Sequence, residues 1–258
     1  MAPDHTNTKN KSLLYRMGLA KRPYSMACDY RGDGFGTKGK STKFLEDDAF
    51  SEAWTATAAE IYRMTGQKAP DVRWRAHIAL WAARQGLTKE GDFVECGVHT
   101  GIFSGVICRA LDWKSQNRPF WLFDTWSGVP TAGLSPDEAA VAESYNEDYH
   151  RREIYDDVRR AFSPFPNCTL VRGELPGTLA TVNIEKIAYL SVDLNNATYE
   201  KACIDLLWPK LVPGAIVVLD DYAFTKCRIQ QDMWDAFANE HSIAVASLPT
   251  GQGLIVKP

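Results

Sequence analysis

The chain predicts an α/β protein with a Rossmann-like, mostly parallel sheet, helices on both faces and a C-terminal antiparallel hairpin. Three observations carry this. Asp92–Cys96 is a short strand that passes through the glycine-bearing turn GVHTG into the amphipathic stretch IFSGVICRAL. Short apolar runs recur downstream, separated mostly by helix-length segments, which is the spacing of parallel strands joined by crossovers. Most of these runs end in an acidic residue, at the edge where open α/β sheets bind their ligands.

With 258 residues, 45% of them apolar, the chain can bury one sizeable core plus an appendage. A net charge of −3 gives no whole-protein attraction to nucleic acid or to anionic membrane. No apolar run approaches the ~18 residues of a membrane span, and MAPDHTNTKNKS lacks the apolar segment of a signal peptide, so a cytoplasmic protein is expected. Six cysteines are scattered without a CxxC pair, which reads as reduced, buried thiols rather than a disulfide framework or a zinc site.

Three segments are expected: a basic, flexible arm at 1–43, a helical lead-in at 44–90 and the main domain at 91–258. The arm includes GDGFGTKGKSTK, whose spacing fails the phosphate loop. It reads as a solvated segment that closes over a site or packs on a second subunit of a homo-oligomer. Phe44 to Arg63 has helical apolar spacing through Phe50, Trp54 and Ile61, with Gly66 to end it. From about Asp71 a second helix places Trp74, Ile78 and Trp81 on an aromatic stripe expected in the core, with His77 as a packed imidazole, and stops at Gly86.

Beyond the first strand, Phe120 to Phe123 forms a second that ends at Asp124. Leu134 to Phe162 is polar and reads as a mobile cover, helix-prone in its second half. Tyr145, Tyr149 and His150 there are substrate-side candidates. Thr169 to Arg172 is a third strand, closing at Gly173 and Glu174. Ile187 to Val192, apolar throughout, is a central fourth strand ending at Asp193. A helix follows in YEKACIDLLW, then a turn at Pro213 and Gly214, then a fifth strand, Ala215 to Leu219, ending in Asp220 and Asp221. A helix around Gln230 to Glu240 precedes the closing hairpin, Ile243 to Leu248 and Gly253 to Lys257.

These acids suggest the chemistry. Glu95 ends the first strand before Gly97, Val98, His99, Thr100 and Gly101, where missing Cβ atoms let backbone approach a ligand and helix amides point at it. His99 replaces the middle glycine of a dinucleotide turn, which disfavours a nicotinamide oxidoreductase. Asp124, with Thr125 beside it, is placed to accept from ribose hydroxyls, the alternative being a turn cap. Gly173 and Glu174 fall near an adenine or form a plain turn. Asp193, Asp220 and Asp221 converge from two strands. Without a nearby Lys or Arg they call for a hard divalent cation such as Mg2+, or else they cap turns.

ECGVHTG, LFDTWSGVP, the Asp193 strand end, LLWPKLVPG and VVLDDYAF, in that order and with the closing SLPTGQGLIVKP, resemble the macrocin O-methyltransferase family of class I S-adenosylmethionine enzymes. The resemblance covers about residues 71 to 258. It implies a seven-stranded sheet, S-adenosyl-L-methionine as cofactor and a small hydroxylated acceptor, such as a sugar or phenolic group of a natural product. It also implies Mg2+ on Asp193, Asp220 and Asp221, with Asp193 as base. Where the family reads DGD, this chain reads DLN, with Asn195 at the second acidic position, and His99 is placed to face substrate or cofactor. The competing expectations are a cofactor-binding scaffold without turnover and a methyltransferase acting on a macromolecule, the latter resting on the basic arm.

Overall fold

The computed structural model describes residues 28–149 and 152–258. His150 and the side chain of Tyr149 lie outside the described residues, as does the arm up to residue 27. The chain divides after Ser41. In the first unit, β1 (Tyr30–Gly32) and β2 (Phe35–Thr37) pair antiparallel with Gly32 opposite Phe35. The turn between them is Asp33-Gly34, at φ 51° and 69°. Two positive φ angles in a two-residue loop suit the right-handed twist of a hairpin, and Asp-Gly is the dipeptide that adopts them most readily. The last residues of the segment read as a flexible arm thus hold a hairpin, whose second strand closes at Thr37.

The second unit opens with α1 (Asp48–Thr65), where the Asp47 side chain accepts from the Phe50 amide and Gly66 ends the helix at φ 70°. In α2 (Arg73–Gly86) the buried face is Ala76, Ala79, Leu80 and Ala83. Trp74 and Ile78 are only half-buried and Trp81 is 42% exposed, so the aromatic stripe expected in the core is not its packing face. Small residues let the helix axis approach the sheet closely, which the indoles would prevent.

There follow β3 (Asp92–Cys96), α3 (Ile102–Ala110), β4 (Phe120–Asp124), α4 (Pro136–Tyr149), α5 (Tyr155–Phe162), β5 (Cys168–Arg172), β6 (Ile187–Val192) and α6 (Ala197–Leu207). The chain ends with β7 (Leu211–Leu219), α7 (Arg228–Glu240), β8 (Ala246–Ser247) and β9 (Gly253–Val256). The seven-stranded sheet runs β5-β4-β3-β6-β7-β9-β8, parallel from β5 to β7, with β9 antiparallel to both its neighbours. Strand order reverses at β3, which pairs with β4 on one side and β6 on the other. A crevice at such a switch point is where this architecture binds ligands.

Alternation along the strands builds two cores. Phe93, Phe120, Leu122, Tyr189 and Ile216 face α1, α2 and α3, while Val94, Phe123, Leu190 and Val217 face α6 and α7. The expected turn at Pro213 and Gly214 lies inside β7. Pairing jumps from Ile187 opposite Leu211 to Tyr189 opposite Ile216, so these residues bulge from the ladder. The strand expected over Ile243 to Leu248 shrinks to Ala246–Ser247, both exposed. Among the described residues no helix is long and apolar enough to cross a membrane.

Candidate active site

The strand ends are laced together by backbone bonds that continue the sheet past its last paired residues. Gly173 N donates to Asp124 O (2.9 Å), Gly97 N to Phe123 O (2.9 Å), Asp193 N to Cys96 O (2.8 Å) and Asp220 N to Val192 O (3.0 Å). Glu95, Gly97, Asp124, Gly173, Asp193 and Asp220 thereby share one edge.

The turn after β3 is held by Asp124. Its Oδ2 accepts from the amides of Val98 (2.7 Å) and His99 (2.8 Å), and its Oδ1 accepts from Trp126 N (2.6 Å). Asp124 is therefore first a clamp on the loop, and the lone pair left on Oδ1 is what it can offer a ribose hydroxyl. The buried Trp126 ring donates Nε1 to His99 O (3.0 Å), fixing that half-buried residue at φ 47°. Thr125 turns its hydroxyl onto Gly128 O (2.5 Å), and Val98 and Thr100 are buried.

Packing alone demands both glycines. A Cβ on Gly97, at φ 87°, would lie 1.8 Å from the Asp193 carbonyl oxygen, and one on Gly101 would lie 2.5 Å from the Phe162 ring. The first contact means that the turn after β3 and the β6 terminus touch backbone to backbone. Gly173 likewise faces Thr178, and Glu174 is exposed.

Beneath the turn, Glu95 is 3% exposed, and its Oε2 has no hydrogen-bond partner. Burial, with the charges of Asp220 and Asp124 adding to it, pushes this carboxyl up to about 8, and only the neighbouring Ser104 pulls the other way. A cation brought against it would recover the cost of ionising it.

Asp193 is half-buried, and Asp220 and Asp221 are buried. β7 stops at Leu219, so Asp220 and Asp221 are not constrained to opposite faces of a strand. Burial, then Asp220, then Asp221, raise the Asp193 carboxyl well above the usual range, and Arg75 opposes them. That arginine corrects the premise that no Lys or Arg stands near. Its Nη1 donates to Asp220 Oδ2, while Gln252 Nε2 donates to Asp220 Oδ1 (3.1 Å). Asn195 Nδ2 donates to Asp193 Oδ1 (3.2 Å). Among the described residues no three His, Cys, Asp or Glu side chains stand as a set that could hold a metal ion. A divalent ion does not fit this arrangement, because the Arg75 guanidinium is already paired with Asp220 and holds the place of the charge. Arg75 and Gln252 escaped sequence reading. The usable signal was an arginine four residues before Ala79, on the helix's buried side.

Helix α4 lies across the loops that leave this edge. Glu138 Oε1 accepts from Thr198 N (3.0 Å) at the start of α6, Lys226 donates to Tyr145 OH, and Asn146 is paired with the backbone of Val129. The helix is thus fastened at three points, with Tyr145 accepting from Lys226. Behind the edge, Glu200 accepts from Gln230 (2.8 Å) and Trp234 (2.7 Å) and is pushed up to about 7, chiefly by burial. His77 stacks on Phe44 at 4.3 Å, and burial, then Arg84, lower its pKa, as a packed imidazole requires. Cys96, Cys108, Cys168, Cys203 and Cys227 are free thiols, with Cys108 and Cys168 sulfurs 3.3 Å apart.

The sheet order, with an antiparallel strand inserted next to its last parallel one and an acid-lined edge at the switch point, defines a class I methyltransferase architecture. The solved structure of the O-methyltransferase NovP shares this fold, with a TM-score of 0.66 at 20% identity over 81% of this chain and 97% of that one. The chain belongs to the macrocin O-methyltransferase family: the family model described as Macrocin-O-methyltransferase (TylF) matches residues 57–247. Mycinamicin III 3''-O-methyltransferase of Micromonospora griseorubida is 28% identical over 162 residues, 59% of this chain and 62% of that protein. Demethyldecarbamoylnovobiocin O-methyltransferase of Streptomyces niveus is 31% identical over 168 residues, 60% of each. The chain thus spans about 60% of the length of these relatives.

Proposed function

We propose that this chain is an S-adenosylmethionine-dependent O-methyltransferase acting on a hydroxyl of a small molecule, a sugar or phenolic group of a natural product. The observation that carries the reading is the contact of the Gly97 turn with Asp193, which puts a carboxylate of raised proton affinity beside the cofactor loop. The two relatives are named for O-methylation of mycinamicin III and of demethyldecarbamoylnovobiocin, and a small hydroxylated acceptor is the corresponding choice here.

S-Adenosylmethionine, when bound, supplies a methyl group already activated on a sulfonium. The residues then have two tasks, positioning and deprotonation. Glu95 faces the positive charge, the amides and side chains of the Gly97 to Gly101 turn line the cofactor with Thr125, Gly173 and Glu174, and Asp124 offers its free lone pair to the ribose. Asp193 would take the proton of the acceptor hydroxyl, leaving its oxygen ready to receive the methyl group. His99, held at the mouth of the turn, borders the acceptor.

The test is transfer of a labelled methyl group to a panel of glycosylated and phenolic acceptors, read by mass spectrometry. Asp193→Asn is expected to cut turnover by ~100-fold or more while S-adenosylhomocysteine still binds. Cofactor binding without transfer across the panel would instead mark a scaffold. Label appearing on protein or nucleic acid, and lost on deleting residues 1–43, would mark a macromolecular acceptor.

A further inference from the structure

We infer that Arg75 is the resident cation of the acidic strand-end cluster, a positioning residue that balances Asp193, Asp220 and Asp221 in place of a divalent metal ion; the inference rests on the methyltransferase reading above. The guanidinium is built in rather than draped over the surface. Its side chain is 15% exposed and pairs with Asp220, which is 3% exposed. Two aromatic rings flank it, Phe103 at 5.8 Å and Phe224 at 5.5 Å, the first from the helix that follows the cofactor turn and the second from the loop that follows Asp221. Rings in those positions hold a cation by their quadrupoles and keep water from screening it.

Gln252 completes the cage. It is fully buried, donates Nε2 to Asp220 Oδ1 (3.1 Å) and to the Arg75 carbonyl (3.5 Å), and has its own Oε1 satisfied by Thr250 (3.1 Å). Four segments therefore converge on one charge: α2, α3, the β7 terminus and the start of β9. A dry ion pair of this kind adds little net stability over apolar packing, so its use lies in the charge it supplies. That charge also reaches Asp193, where Arg75 opposes the two neighbouring aspartates. A dication entering the same cluster would meet a fixed positive neighbour already paired with Asp220.

The test is a titration of the full-length protein with Mn2+, followed by electron paramagnetic resonance, in the presence of S-adenosylhomocysteine. Wild type is expected to show no stoichiometric site and no change in melting temperature between Mn2+ and EDTA. Arg75→Gln, which frees the carboxylates, is expected to bind Mn2+ tighter than wild type by on the order of 100-fold, and Arg75→Lys is expected to behave as wild type. A merely structural arginine would not produce that gain. One tightly held Mn2+ in wild type overturns the inference, as does a folded Arg75→Gln that remains silent. If Arg75→Gln does not fold, the wild-type titration decides alone. Calorimetry with S-adenosylhomocysteine, run in parallel, separates the readings: absent binding there would sink the methyltransferase proposal, and the Mn2+ titration repeated without it would still judge Arg75.

Discussion

Glu95 couples the strand-end edge to pH. Its carboxyl keeps its proton up to about 8 in the folded chain, against an ordinary value near ~4.3 in the unfolded one. Between those values the folded state binds more protons, so this group's contribution to stability is whole below the unfolded value and is lost as pH rises toward 8. Glu95→Gln should therefore melt with wild type at pH ~5 and above it at pH ~9, as thermal scans in matched buffers would show. A sulfonium placed against Glu95 favours its ionised form. Binding of S-adenosylmethionine should then release a proton near neutral pH and tighten toward pH 8, whereas neutral S-adenosylhomocysteine should do so much less. Calorimetry in buffers of different ionisation enthalpy measures both, and equal proton release for the two ligands would remove Glu95 from the sulfonium. Gly97 admits no such modulation: with its Cβ position 1.8 Å from the Asp193 carbonyl and φ at 87°, Gly97→Ala should cost on the order of 3 kcal/mol or more. A melting temperature within error of wild type would contradict that packing.

Among the elements, α4 is the one whose origin is easiest to trace after the fact. Ser135 and Glu138 form a capping box, the Ser135 hydroxyl donating to Glu138 Oε2 (2.7 Å) while the Glu138 amide donates back to Ser135 Oγ (3.4 Å). The same carboxylate caps α6 through Thr198, and these donors, Ser135 leading, hold its pKa down against burial. Glu138→Ala removes the cap of two helices, an effect of about 1–2 kcal/mol. Its further consequence should be a raised acceptor KM with little change in S-adenosylhomocysteine affinity. Equal losses for both ligands would mean that α4 is not a cover for the acceptor. The S-x-x-E signature was present in SPDE, yet the acidic, weakly amphipathic run after it masked the helix. The Asp-Gly turn of the β1–β2 hairpin was likewise present and was outweighed by the surrounding lysines and glycines. The aromatic stripe of α2 misled for the opposite reason, since helical spacing marks a face but not which face a neighbour will accept.

At the scale of the molecule, the central parallel strands β6 and β7 were legible because burial on both sides leaves β6 and the end of β7 nearly all apolar and because each stops at an aspartate. The identity of the acids at the edge was legible for the same reason. Their partners were not. Arg75 meets Asp220 across 145 residues of sequence, and Gln252 lies 32 residues beyond it; such pairings depend on how α2 and β9 dock, which no local spacing encodes. The strand-end ladder has a further consequence for how the site comes to exist. The amides of Gly97, Asp193 and Asp220 that shape it are bonded into the sheet itself, so the edge is assembled as the core folds, before any ligand arrives. Those three amides should exchange with deuterated solvent only on the timescale of global unfolding. The ordering entropy that a flexible loop would surrender on meeting its cofactor has then already been spent in folding, and ligand affinity need not bear it again.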